Sequence, residues 1–182
     1  MTQLFFTVSA QTSSNGETVV DQAAFNLNNF EVLDYPNLDR AGTNKPSAQA
    51  DRHVKWAFKN GKNWWRNGDN GDNAGFPARV WYRFSYKRKV GRIEFSNRKD
   101  SRVGLSPKKF RVIASGQCRG WKTLLTVEDA GFTDVAQSKA WWIPTENRGW
   151  YFCYGIEFLS SQVGNGPNQV VVVRNIRMFK RK

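Results

Sequence analysis

RVWYRFS at residues 79–85 and VGRIEFS at residues 90–96 are the stretches that decide the fold. In the first, Val80, Tyr82 and Phe84 alternate with Trp81 and Arg83. A period of two is that of a strand with one buried face, so Tyr82 and Phe84 point inward and Arg83 outward. The basic stretch Tyr86-Lys87-Arg88-Lys89 leads directly into the second run, and the pair predicts a hairpin with one face buried. Further strands are predicted over 109–115, 121–127, 139–143, 149–159 and 169–179. Turn-rich segments rich in Gly, Asn and Pro separate them, at 59–78, 97–108, 128–136, 144–148 and 160–168. No stretch keeps a helical period and no repeat of about 20–50 residues recurs. The reading is an all-β chain, folded as a sandwich or jelly-roll barrel in a single domain.

The N-terminal fifty residues carry weaker signals. LFFTVSA (4–10) and NFEVLDY (29–35) read as strands, while 11–18 and 36–50 read as loop. No low-complexity linker sets this part aside. Residues 1–44 are therefore expected to pack on the domain formed by residues 45–182.

The chain has 182 residues, enough to bury a core without covalent staples. Its aromatic content of 14%, with eight Trp, is the compositional outlier, and it implies a β-rich core, exposed stacking platforms, or both. The formal charge is +13. The excess lies beyond residue 50, because the first fifty residues set only Arg40 and Lys45 against Glu17, Asp21, Glu31, Asp34 and Asp39. Such a surface attracts polyanions: acidic glycans, anionic lipid headgroups or nucleic acid. The two cysteines, Cys118 and Cys153, have no metal-ligand spacing; they bond if their strands are neighbours and otherwise remain two buried thiols. The start, MTQLFFTVSA, has no basic region, and no run reaches the ~18 apolar residues of a membrane span. That leaves a cytoplasmic protein or the mature form of a secreted one.

Catalysis has no visible apparatus. There is one histidine, His53, and no nucleophile elbow, zinc-protease motif or phosphate loop, so the chain is read as a binding protein and not an enzyme.

AFKNGKNWW (57–65) followed by VWYRFSYKRKVGRIEFSNR (80–98) resembles the discoidin, or coagulation factor 5/8 type C, family. FRVIASGQCRGWKTLL (110–125) and the closing pair YFCYGIEFLSS (151–161) and VVVVRNIRMFK (170–180) resemble later segments of the same family, in the same order. The resemblance spans roughly 45–182, and it implies a discoidin-like jelly roll whose ligands are held by loops at one end. Within it, NRKD at 97–100 is similar to a sugar-gripping motif of the fucolectins (F-type lectins), with Arg98 and Asp100 in the matching places. Leu105 stands where the second Arg of that motif falls, with Arg102 nearby, and His53 precedes the Ala57–Gly61 loop instead of following it. Lys59 occupies a position where a calcium loop has an acid, and a cation there opposes calcium. These departures count against fucose and against bound calcium, so no cofactor is assigned.

Two loops carry the candidate ligand residues. KNGKNWWRNGDNGDNAGF (59–76) offers Trp64, Trp65 and Arg66, indole faces beside a fork of donors, with one Trp also a candidate for the core. Asp69 and Asp72 in DNGDN lack the terminal Glu of a calcium loop. NRKDSRVGLSPK (97–108) offers Arg98, Asp100 and Arg102. The leading expectation is a lectin-like carbohydrate-binding module that favours anionic or complex glycans. The alternatives are attachment to anionic membranes through Trp64, Trp65, Phe76 and Leu105, and an intracellular scaffold subunit binding protein or nucleic acid. Homo-oligomerisation would raise the avidity of a weak single site.

Overall fold

A computed structural model describes residues 11–12, 18–19, 30–45, 53–59, 64–67, 75–99, 103–166 and 169–181. In chain order its elements are β1 (Gln11–Thr12), β2 (Thr18–Val19), β3 (Phe30–Val32), β4 (Ala41–Thr43), α1 (Lys55–Phe58), β5 (Trp65–Arg66), β6 (Ala78–Arg88), β7 (Val90–Ser96), β8 (Phe110–Ser115), β9 (Lys122–Val127), β10 (Ser138–Trp142), β11 (Tyr151–Phe158) and β12 (Val172–Arg181). Two antiparallel sheets face each other. One has the order β10-β7-β12-β3, with β5 also paired to β12; the other has the order β4-β6-β11-β8-β9. β1 and β2 form a separate two-stranded pair. Among the described residues the sandwich is all-β apart from one short helix and three 3₁₀ turns.

The alternation read from the sequence is what fills the core. Ala78, Val80, Tyr82 and Phe84 of β6 are buried, while Arg83 and Ser85 are exposed. Tyr154, Ile156 and Phe158 of β11 face them from the next strand, and Ile93 and Phe95 of β7 meet them from the opposite sheet. The predicted strands at 109–115, 121–127, 139–143, 149–159 and 169–179 correspond to β8, β9, β10, β11 and β12. The predicted loop over 36–50 contains β4, whose Ala41, Gly42 and Thr43 pair with Tyr82, Trp81 and Val80. The predicted strand at 4–10 lies outside the described residues. From the N-terminal segment, β3 pairs with β12 and β4 pairs with β6, one strand in each sheet.

The expected hairpin is corrected. β6 and β7 are strands, but they belong to different sheets, and the chain turns a corner at Lys89. β7 is also buried along its whole length. Its polar positions are satisfied sideways and not by solvent: Glu94 receives Arg92 at 2.9 Å and Ser138 at 2.9 Å, and it pairs with Arg177 of β12. The corner is pinned by Tyr154, whose hydroxyl lies 2.9 Å from the Arg88 carbonyl and 2.6 Å from that of Gly149, and accepts the Val90 N–H at 3.3 Å. Burial pushes its phenol well above the usual tyrosine range, so it stays protonated as a donor.

Cys118 and Cys153 form a disulfide, which resolves the two alternatives left by the sequence. Cys153 sits near the start of β11 opposite Ser115, and Cys118 lies in the turn that follows β8. Their Cα atoms are 5.3 Å apart, and the bond closes a loop of 35 residues. By loop-closure entropy such a cross-link is worth about 4 kcal/mol. Reduction, or the double change Cys118→Ser with Cys153→Ser, is expected to lower Tm by roughly 10 °C. Calorimetry with and without reductant measures this, and an unchanged melting curve would contradict the cross-link.

Candidate functional site

The antiparallel registers fix which loops share an end. Ala78, Phe158, Phe110 and Val127 lie at one end of their sheet, and Ser96, Ser138 and Val172 lie at the same end of the other. The connections leaving that end include 67–77, 97–109, 128–137 and 159–171. Both ligand loops singled out in the sequence therefore reach one rim.

The rim rests on two buried asparagines that the sequence reading passed over. Asn67, fully buried, donates its amide to the carbonyls of Gly75 at 2.9 Å and Gln169 at 3.3 Å, while its oxygen accepts the Val171 N–H. Asn97, also fully buried, donates to Ser106 Oγ at 2.9 Å and to the Asp134 carbonyl at 2.6 Å. Its backbone carbonyl accepts from Arg174 Nε at 3.2 Å. Buried amides that are hydrogen-bonded in this way lock the loops they join. Asn flanked by Gly or Arg in a predicted loop reads as turn chemistry, so sequence gave no sign that these two side chains point inward.

Arg98 follows Asn97 directly, and its carbonyl accepts the Ala136 N–H at 2.7 Å. Its guanidinium lies 4.6 Å from the centroid of the Trp64 ring. The structure thus brings together two of the sequence-predicted ligand residues from loops more than thirty positions apart. A guanidinium stacked on indole uses its faces, and its N–H donors lie in its plane. Arg66 is half-buried on β5, opposite Val172.

Trp65 is corrected as a ligand residue. It is 0% exposed and stacks on Phe158 with centroids 5.8 Å apart. Successive residues of a strand point to opposite faces, so pairing of Trp65 with Val173 sends this indole into the core and leaves Trp64 outside. The same fact removes Trp65 from the group offered for membrane insertion; Phe76 and Leu105 are half-buried. Asp100 and Arg102 lie outside the described residues, as do Asp69 and Asp72. Lys59 is exposed, with its ammonium 5.0 Å from the Trp56 ring. Among the described residues no cluster of three His, Cys, Asp or Glu stands close enough to hold a metal ion.

No family model matches the sequence, and no curated protein matches it. Solved structures do match the fold. A CBM32-3 domain from a family 31 glycoside hydrolase of Clostridium perfringens superposes with a TM-score of 0.64 at 14% identity, over 83% of this chain and 95% of that one. An F5/8 type C domain from Bacteroides fragilis gives 0.62 at 10% identity, over 85% and 98%. CpGH89CBM32-5 from Clostridium perfringens, in complex with GalNAc-β-1,3-galactose, gives 0.60 at 10% identity, over 84% and 96%. The fold is therefore the discoidin-type jelly roll shared by CBM32 and F5/8 type C domains, as the sequence resemblance implied.

The opposite orientations of the paired tryptophans give a direct check. Trp65→Ala is expected to cost about 3–5 kcal/mol by emptying the core, whereas Trp64→Ala is expected to cost under about 1 kcal/mol. Urea titration of both variants measures the difference, and equal losses would contradict the orientation of β5.

Proposed function

We propose that this domain is a carbohydrate-binding module that takes anionic glycans at the rim formed by Trp64, Arg66 and Arg98, with Asp100 and Arg102 as further candidate contacts on the strength of the sequence. The observation that carries this reading is the Arg98–Trp64 pair. One side chain supplies an apolar plane for the CH face of a sugar, and the other a fork that matches a carboxylate or sulfate. Asn67 and Asn97 tie the described ends of the two loops to their neighbours, and anchoring of this kind lowers the entropy lost on binding.

Three further observations support it. Structurally similar domains include ones solved with sugars, galactose in a family 32 module and GalNAc-β-1,3-galactose in another. The net charge of +13 favours acidic over neutral glycans. The disulfide fits an oxidising compartment, and complex glycans are displayed outside the cell. Membrane insertion is the weaker reading, since Val163 is the exposed large apolar side chain at this end among the described residues.

A panel of sulfated, sialylated and neutral oligosaccharides, titrated at low salt, tests the proposal. Arg98→Gln is expected to weaken an acidic ligand by roughly tenfold, and binding is expected to fall as ionic strength rises. A folded protein that binds none of the panel, or vesicles with phosphatidylserine in preference to it, would refute the assignment.

A further inference from the structure

A second feature lies away from the rim, on the outward face of the β4-β6-β11-β8-β9 sheet. A cleft of about 430 Å³ opens there between the Asp39–Gly42 segment and the outward residues Trp81, Arg83 and Ser85 of β6, with Phe152 and Cys118 as its far wall. Trp81 is placed by its neighbours. It is in register with Gly42 on one side and Gly155 on the other. A β-carbon added at Gly42 would run into the Trp81 indole, and one at Gly155 into the Val80 carbonyl and the base of Trp81. The two glycines are thus what lets the side chain lie down on the sheet. Trp121 leans against it with centroids 5.6 Å apart, brought over the sheet by the turn that Cys118 ties to Cys153.

The charges in the cleft are what need explaining. Two arginines of this face share one carboxylate: Glu157 takes Arg79 at 2.6 Å and Arg111 at 3.3 Å. Arg83 is exposed and has no hydrogen-bond or ion-pair partner among the described residues. The Asp39 carboxylate, on the opposite lip, is also unpaired among them, and the two do not bridge each other. Arg40 donates to Ser85 Oγ at 3.0 Å and fixes the lip to β6. Lys87 continues the outward row, its ammonium 5.9 Å from the Phe152 ring.

We infer that this cleft is a second carbohydrate site, separate from the rim, which takes a sugar residue bearing an acidic group within an oligosaccharide. Trp81 and Phe152 supply apolar surfaces, Arg83 receives the carboxylate or sulfate, and Asp39 accepts hydrogen bonds from ring hydroxyls. The pairing of an open acceptor with an open cation distinguishes the occupant. A phosphodiester chain would meet repulsion from Asp39, whereas a sugar acid offers both a negative group and hydroxyl donors. The inference stands on the cleft alone and does not need the rim to bind sugar.

The test is calorimetric titration of tetragalacturonate and of a neutral galactose tetrasaccharide into the full chain, with oligo(dT) as a competitor. Wild type is expected to bind the acidic probe and to prefer it to the neutral one. Arg83→Gln should weaken it by roughly tenfold, Asp39→Asn by a few fold, and Arg98→Gln should leave the cleft binding step unchanged. Arg83 and Asp39 are exposed, so both variants should melt with wild type, and Tm is measured to confirm it. No binding of tetragalacturonate up to ~10 mM would overturn the inference. So would an unchanged affinity in Arg83→Gln, or oligo(dT) displacing the sugar through Arg83. Loss of binding in Arg98→Gln alone would leave the rim reading standing and remove this one.

Discussion

The packing of Phe95 between the two sheets is the constraint on which the rim depends. It sits on β7 one residue before the strand ends, and it meets Phe110 at 5.2 Å and Phe158 at 5.9 Å from the facing sheet. Trp141 stacks on it at 4.6 Å from the neighbouring strand, Phe132 closes over it at 5.9 Å from a rim loop, and Trp65 extends the cluster through Phe158. Mixed edge-on and stacked contacts of this kind add to the burial of large apolar areas. Four rim connections thus start from a single rigid plug. Part of the aromatic excess in the composition is used here, and the rest includes outward rings such as Trp81, Trp121 and Phe152.

Charge follows the same economy of placement. Each sheet carries a buried glutamate on its outward face with two arginines on it: Glu94 with Arg92 and Arg177, Glu157 with Arg79 and Arg111. Removing the glutamate of such a group would leave two arginines without their counter-charge, so these residues are committed to structure. Burial lowers the affinity of Arg92 for its proton, an effect opposed by Glu94. Four of the cations are thereby taken out of any account of ligand binding. Arg83 beside Trp81 belongs to neither group.

Strands were legible in the sequence because alternation of apolar and polar side chains is a local signal. Which sheet a strand joins is not local. Nothing in RVWYRFS or VGRIEFS distinguishes a hairpin from a corner, and the corner depends on Tyr154, more than sixty residues on. The burial of Arg92 and Glu94 is not local either, because the other partners of Glu94, Ser138 and Arg177, come from β10 and β12. β4 escaped notice because three residues, Ala-Gly-Thr, have little strand character without Trp81 above them. At the site, adjacency of Trp64 and Trp65 announces that one points in and one out, and only the pairing of β5 with β12 decides which. The cysteine spacing was silent for the same reason: the bond needs the turn after β8 to fold back on β11.

Glycine placement gives the strongest reason to treat the outward face of β6 as more than a solvated surface. A glycine inside a strand costs roughly 0.5–1 kcal/mol relative to alanine, and it contributes no side chain to the sheet. Two of them flank Trp81 in one cross-strand row, one on an edge strand and one on the central strand. Covering a bare backbone with an indole recovers part of that loss, and by itself would account for the row. It does not account for Arg83 and Asp39 across the same cleft, both unpaired among the described residues. Cover for the sheet and an open pair of charges occur together when the flat ring also serves as the floor of a site.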